Sequence, residues 1–477
     1  MKIIEILTAT AASIAFLTTT APRAEGGDVP AAKPNLLFLL ADQWRADAVG
    51  YAGDPNVTTP HLDRLAGESV NFTRAVSNCP VCCPTRASLM TGQRPLTHGV
   101  FLNDVPLPDK AVTIAEALVA AGYQTGYIGK WHLDGRGRSI FTPPKRRQGF
   151  RYWKALECTH DYNQSFYYAD DPTRLVWQGY DAKAQTRDAE EYLRHQAEQG
   201  RPFALFLSWG APHNPYDTAP DEYRASYAPD DIKLRPNVPG PLAIPARRAL
   251  AGYYAHCTAL DDCVARLWET LKKAGIEENT IVVFSSDHGD MLFSQGEIRK
   301  QKPWEESIRV PLLVHWPSGL GREGKRLDAA INTEDLMPTL LGLMDVAIPS
   351  SVEGRELSGY MRGGEKPVDD ASLITCPSPF GEWSRQRGGR EFRGVRTSRH
   401  TYARDLSGAW LLYDNEADPY QLRNLCNRPE HAALQAELER QLRRKLAQTH
   451  DEFLPGPEYI ERFGYKVDDT GTVPYTP

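Results

Sequence analysis

The sequence predicts an α/β protein, a large mostly parallel or mixed sheet sandwiched by helices, followed by a smaller C-terminal α+β subdomain. Three observations carry this expectation. Four short apolar runs are unbroken and bulky or β-branched, helical patterns lie between them, and the texture of the chain changes near residue 385.

The runs are NLLFLL (35–40), TGYIG (125–129), FALFLSW (203–209) and TIVVFSS (280–286). Runs of this kind read as strands buried on both faces, as in a parallel sheet. Between them, VTIAEALVAAGYQT opens with a capping box, Thr113 with Glu116, and stops at Gly122. Residues 245–274 have the periodicity of a long surface helix. Each strand runs into polar residues: Asp42 and Gln43, Lys130 and His132, His213, and Asp287 and His288. In open α/β sheets ligands bind beyond the carboxyl ends of the strands, so these clusters point at one place.

From about residue 385, FRGVRTSRHTYARD and AWLLYDNEADP read as antiparallel strands, and EHAALQAELERQLRRKLAQTH as an amphipathic helix. The expected organisation is a signal peptide over 1–24, a catalytic domain over 30–370, a subdomain over 385–455 and a tail over 456–477. The linker falls in the Gly/Pro/Arg-rich stretch 354–390.

With 41% hydrophobic and 24% charged residues among 477, the chain is a globular protein. No apolar run approaches bilayer-spanning length, so the mature chain has no integral membrane segment. A net charge of -6 argues against a protein that coats nucleic acid. An anionic small substrate stays open, because a local cluster of Lys, Arg and His can hold it.

The N-terminal stretch, with Lys2, an apolar run from Ile6 to Leu17 and small residues to Ala24, reads as a secretory signal peptide, although Glu5 weakens its basic region. Export would place the protein in the periplasm or outside the cell. Eight cysteines are too sparse for a disulfide framework. Cys257 and Cys263, six residues apart in one helix, are separated by about 9 Å of axial rise and should not pair. No second C-x-x-C follows Cys79 and Cys82, which disfavours structural zinc.

Asp42, Gln43, Asp287 and His288 form two oxygen-rich pairs that could hold a divalent cation. Lys130, His132, His213 and Lys300 supply the donors a tetrahedral oxyanion needs. In CPVCCPTRASLMTG (79–92), Pro84 suits the first turn of a helix, placing Cys82 at the helix N-terminus and Arg86 one turn further.

Residues 82–92, CCPTRASLMTG, resemble the signature of the formylglycine-dependent sulfatases of the alkaline phosphatase superfamily, C-x-P-x-R, four residues, then T-G. Further segments are similar to that family: PNLLFLLADQ, GYIGKWHLDG, APHNPY, SSDHGD, RKQKPWEESIRVPLLV and LLYDNEADPYQLRNL. The likeness spans roughly residues 33–450.

The resemblance implies an alkaline-phosphatase-like fold and a maturation enzyme that oxidises Cys82 to formylglycine (3-oxoalanine). It implies a divalent metal, Ca²⁺ first with Mn²⁺ or Mg²⁺ as alternatives, on Asp42, Gln43, Asp287, His288 and residue 82. Gln43 and His288 depart from the commoner Asp and Asn. Arg86 and Lys130 would stabilise the hydrated aldehyde, and His132 would help expel sulfate. His213 and Lys300 would hold the sulfate, one of them acting as general acid. Lys302 is an alternative to Lys300, which spacing to Trp304 and Glu305 favours. One hydroxyl of the hydrate would attack sulfur in line, the alkoxide leaving as it is protonated.

The expected substrate is a sulfated oligosaccharide or polysaccharide. His160, Arg146 and Arg147, with Arg136, Arg138 and Lys145, and the aromatic group Tyr162, Phe166, Tyr167 and Tyr168, are expected to form its subsites. Two other functions stay open: a phosphonate monoester or phosphodiester hydrolase on the same scaffold, and a silent sulfated-glycan-binding protein if Cys82 stays a thiol.

Overall fold

The computed structural model describes Met1 and residues 32–475. The segment read as a signal peptide lies, beyond Met1, outside the described residues. From Lys33 onward the chain is one compact unit.

The main sheet contains β1 (Asn35–Asp42), β2 (Val70–Phe72), β3 (Gln124–Lys130), β4 (Tyr152–Leu156), β5 (Phe203–Pro212), β6 (Thr280–Ser286), β7 (Leu312–His315) and β8 (Lys325–Leu327). Their order is β8-β2-β7-β6-β1-β5-β3-β4. From β6 to β4 every pairing is parallel, whereas β7 is antiparallel to both neighbours. All eight residues of β1 are buried. Leu36, Phe38 and Leu40 join one core and Leu37 and Leu39 the other. An alternating set of apolar residues with no polar face leaves room for helices on both sides.

The helices Cys82–Thr91, Ile114–Ala120 and Thr333–Leu343 cover the first face, and Pro60–Gly67, Asp181–Gln199 and Ala243–Lys273 cover the second. Each fully buried Leu or Phe side chain contributes roughly 1.5–3 kcal/mol, so this two-sided burial dominates stability. The Thr113–Glu116 capping box read from the sequence is present, and Asn332 with Asp335 forms another.

A second sheet, β9 (Ala371–Cys376), β10 (Phe392–Thr397), β11 (His400–Asp405) and β12 (Gly408–Asp414), is antiparallel throughout. The helix Ala432–Gln448 packs Leu438 and Leu442 on Val395, Tyr402 and Leu412. This sheet starts at Ala371, ahead of the expected boundary at 385. Gly, Pro and charged residues flanking ASLITC mask a strand that the linker reading of 354–390 absorbed. The tail from 456 is also structured: the helix Gly456–Phe463 places Phe463 against Phe101 with ring centroids 5.3 Å apart, and the Tyr465 hydroxyl donates to Gly99 O at 2.7 Å.

One buried ion pair fastens the second sheet to the site. Arg396 on β10 donates through Nε and Nη2 to the two oxygens of Glu305, at 2.9 and 2.8 Å. Burial alone would raise the Glu305 carboxyl, but Arg396 holds it down at about 2. Arg396→Ala, which leaves the buried carboxylate to Arg309 and Thr401 alone, is expected to cost about 3 kcal/mol in urea unfolding. A depressed carboxyl stabilises the fold fully above its unfolded value and loses that contribution as pH falls through its folded value. Wild-type stability should therefore fall between about pH 4.5 and pH 2. The slope should be shallower in Glu305→Gln, and equal slopes would refute the linkage.

Candidate active site

The carboxyl ends of β1, β3, β5 and β6 meet the N-terminus of the Cys82–Thr91 helix. All ten residues of that helix are buried, and it closes at Gly92, whose φ of 63° is left-handed and whose N–H reaches Ser88 O. Arg86 projects from it beneath the sheet ends. Its Nη2 donates to Asp42 Oδ2 at 3.0 Å, its Nε to Asp287 Oδ2 at 3.1 Å, and its Nη1 to Lys130 O and Ser208 Oγ at 3.0 and 2.7 Å. One guanidinium thus ties four strands together, using the planar donor fork that lysine lacks.

Asp42 Oδ2 also accepts from Lys130 Nζ at 2.6 Å. Against the burial that would raise it, Lys130, His213 and Arg86 keep Asp42 below the ordinary carboxylate value. Asp287 is pushed up instead, by burial and by the charge of Asp42. Its Oδ1 accepts from the backbone of Gln43 and of His288, at 3.0 and 2.9 Å.

Gln43 sits at φ 68°, which turns the chain at the end of β1. Its Nε2 donates to Asp290 Oδ2 at 2.7 Å, leaving Oε1 to accept from Lys300 Nζ at 3.0 Å. His288 Nδ1 faces Gly289 O at 2.9 Å, so Nδ1 carries a hydrogen, and Nε2 faces Cys82 Sγ 3.3 Å away. Ligand atoms of Asp42, Cys82, Asp287 and His288 all lie within 4.8 Å of one another. Two carboxylates, an imidazole nitrogen and a neighbouring amide oxygen fit a divalent cation, whose charge would relieve the repulsion that raises Asp287 and displace a proton from His288.

Lys300 spends its three N–H groups on Gln43 Oε1, Cys82 Sγ at 3.1 Å and His213 Nε2 at 2.9 Å. His213 Nδ1 faces Asn214 O at 2.8 Å, so the imidazole is neutral and accepts at Nε2. Burial and the Lys300 charge both push its protonation down. Lys302 is turned away, donating to Ile298 O at 2.6 Å.

His132 faces Asp104 Oδ1 through Nε2 at 3.2 Å, and its buried Nδ1 has no hydrogen-bond partner among the described residues. Asp104 is held in turn by Arg138 through bonds of 2.9 and 2.8 Å. His160 stacks on His213, with centroids 4.9 Å apart and planes 10° from parallel.

Cys82, Lys130, His132, His160, His213 and Lys300 line one cleft of about 360 Å³, within the ~300–1,000 Å³ common for ligand clefts. Arg146 and Arg147, expected in subsites, do not line it. Arg146 is bound to Asp134 and Asp109, and Arg147 is buried against Thr142 O, Ala169 O and Asp170. These acids and carbonyls hold both arginines as loop braces, and Arg136 is likewise tied to Asp134.

The aromatic group is also packed away from the cleft. Tyr162 is buried with its hydroxyl on Asn214 O, and Tyr167 stacks on Trp177 at 4.5 Å. The cleft also contains residues the sequence reading did not assign to it, including Asn103, Asp104, Cys158, Asn214 and Tyr475. Asn214 and Asp290 lay inside segments already singled out, APHNPY and SSDHGD. Cys158 had no such signal; against its burial, Lys130 and His132 draw its thiol down to about 5.

Strand-end carboxylates tied by a buried arginine, beside a helix-initial cysteine on this mixed sheet, define a hydrolase of the alkaline-phosphatase-like class. Residues 34–346 match the sulfatase family model, and residues 296–448 match that of the N-sulphoglucosamine sulphohydrolase C-terminal region. The chain belongs to the sulfatase family. An ulvan-active sulfatase of Formosa agariphila is 46% identical over 91% of this chain and 85% of its own. An endo-4-O-sulfatase of Bacteroides thetaiotaomicron is 30% identical over 82% of this chain and 88% of its own. Among solved structures, the sulfatase-type protein yidJ of Bacteroides fragilis superposes with a TM-score of 0.80 at 31% identity, covering 92% of this chain and 100% of that one.

Proposed function

We propose that this enzyme hydrolyses sulfate monoesters on a sulfated carbohydrate, with Cys82 as the precursor of its nucleophile. The observation that carries this is the convergence on Cys82 Sγ of Lys300 Nζ at 3.1 Å, His288 Nε2 at 3.3 Å and Asp42 at 3.8 Å, at the floor of an open cleft. The named activity of the Formosa relative makes ulvan oligosaccharides the first substrates to test.

Oxidation of Cys82 to formylglycine by a maturation enzyme would supply a hydroxyl nucleophile, and a divalent cation, Ca²⁺ before Mn²⁺ or Mg²⁺, would supply positive charge beside it. Asp42, Gln43, Asp287 and His288 would hold that cation together with residue 82. Asp287, the carboxyl raised by its surroundings, is placed to take a proton at this end of the cleft. Arg86 and Lys130 fix the carboxylates and offset their charge. Lys300 brings the proton for the leaving oxygen, and neutral His213 holds the ammonium in place. His132, oriented by Asp104 and held above the ordinary imidazole value despite its burial, would assist as sulfate departs. Export rests on the N-terminal segment. No helix among the described residues is long and apolar enough to cross a membrane.

The test is sulfate release by protein made with its maturation system, on sulfated oligosaccharides, an aryl sulfate and an aryl phosphonate. The oligosaccharides should be the best substrates by kcat/KM. Preference for the phosphonate would move the assignment to the phosphonate hydrolases. Binding without turnover, by protein whose Cys82 is a thiol, would make it a glycan-binding protein.

Chelation followed by dialysis should lower the rate by about 10²-fold or more, since the charge beside the nucleophile is removed. Saturating Ca²⁺ should restore the rate and raise Tm, because an ion bound only by the folded state adds roughly 2.7 kcal/mol at a hundred times its Kd. Unchanged rate and Tm would refute the metal assignment.

A further inference from the structure

The mouth of the cleft is built from two segments far apart in sequence. One is the turn around residues 381–387, and the other is the tail, which contributes Thr470, Thr472 and Tyr475. They are locked together: Gly381 N donates to Thr470 O at 3.1 Å and Gln386 Nε2 to Asp469 O at 2.7 Å. The tail is folded on itself, with Asp468 N on Thr472 O at 2.9 Å and the Thr470 hydroxyl on Asp468 Oδ1 at 2.7 Å. A side chain on this rim therefore projects from a fixed backbone.

The charged groups on the rim are accounted for in all but one case. Arg138 is bound by Asp104, and its guanidinium lies 3.5 Å from the Tyr475 ring centroid. Glu382 faces Arg299 at 3.5 Å. Arg387 lines the same cleft, is exposed, and among the described residues makes no side-chain hydrogen bond, ion pair or ring contact. It is a free planar donor fork at the mouth of a cleft whose floor is fitted to one sulfate. A polyanionic sugar chain threaded from floor to mouth brings its next charge to that fork.

We infer that Arg387 binds a second anionic group, a carboxylate or another sulfate, on the sugar chain that carries the sulfate being cleaved. The inference rests on the sulfatase reading above and names the substrate class more narrowly, as a saccharide with more than one negative charge. The Arg146–Arg147 loop, closed by its own acids, does not supply this charge.

The experiment compares wild type, Arg387→Ala, Arg387→Glu and Arg387→Lys on a uronate-containing sulfated oligosaccharide, its carboxyl-reduced form, a form with one sulfate fewer, and 4-nitrophenyl sulfate. The ratio of kcat/KM on the intact oligosaccharide to that on the aryl sulfate should fall about tenfold in Arg387→Ala, as for loss of one charge-assisted hydrogen-bonded contact. Most of the loss should lie in KM. The ratio should fall further in Arg387→Glu and recover in part in Arg387→Lys. The difference between wild type and Arg387→Ala should vanish on the carboxyl-reduced form if the group is a carboxylate, and on the less sulfated form if it is a sulfate.

An unchanged ratio in an active enzyme overturns the inference alone. A wild type that releases no sulfate from any substrate overturns the function on which it rests, and the inference with it.

Discussion

Cys82→Ala should fold like the wild type and release sulfate about 10⁴-fold more slowly or worse, the scale on which enzymes lose turnover when the nucleophile is removed. The substitution keeps Cβ, so the helix start is preserved, and the thiol it removes makes only polar contacts with Asp42, His288 and Lys300. A decline in activity with unchanged Tm therefore reports chemistry. The companion measurement is the mass of the tryptic peptide AVSNCPVCCPTR, residues 75–86. Active protein should carry the oxidised residue at position 82, and full activity in a chain whose Cys82 is an intact thiol would end the proposed mechanism.

Lys300→Ala should lower kcat on a sugar sulfate by about 10²- to 10⁴-fold, the range for loss of a positioned proton donor. A sugar alkoxide is a poor leaving group and needs its proton in the transition state, whereas 4-nitrophenolate leaves with little help. The loss on 4-nitrophenyl sulfate should consequently be smaller by an order of magnitude or more. In the unoxidised chain Cys82 and Asp42 hold the buried Lys300 ammonium above the ordinary lysine value; once residue 82 is oxidised, the charge of Asp42 remains to favour it. Its partner His213 is pushed the other way. The pair thus enters the reaction with its proton on the lysine. Equal losses on both substrates would show that Lys300 binds sulfate without protonating the leaving oxygen.

The strands that position the site were legible because they are buried on both faces, which forces an unbroken apolar run such as Leu36 to Leu40. The short strands β2, β7 and β8 were not, since three or four residues leave no such mark. The strand-end residues were legible for a topological reason: parallel strands all deliver their carboxyl ends to the same side. Arg146 and Arg147 misled because a basic loop looks the same in sequence whether solvent, substrate or its own aspartates face it. Asp134, Asp109 and Asp170 are brought to those arginines by the loop's path, which no local pattern encodes. The same limit hid the tail, since nothing in TGTVPY shows that it returns to residues 381–387.

The helix that begins at Cys82 has a consequence for the order of events in the life of the chain. All ten of its residues are buried, with Arg86 clamped to four strands. In the proposed maturation an oxidising enzyme has to reach the Cys82 thiol, which the finished fold buries in a helix. On the proposed maturation, oxidation would come before folding, and the speed at which this sheet closes would set the time available for it. A chain that folded first would, on this reading, be well folded and inert.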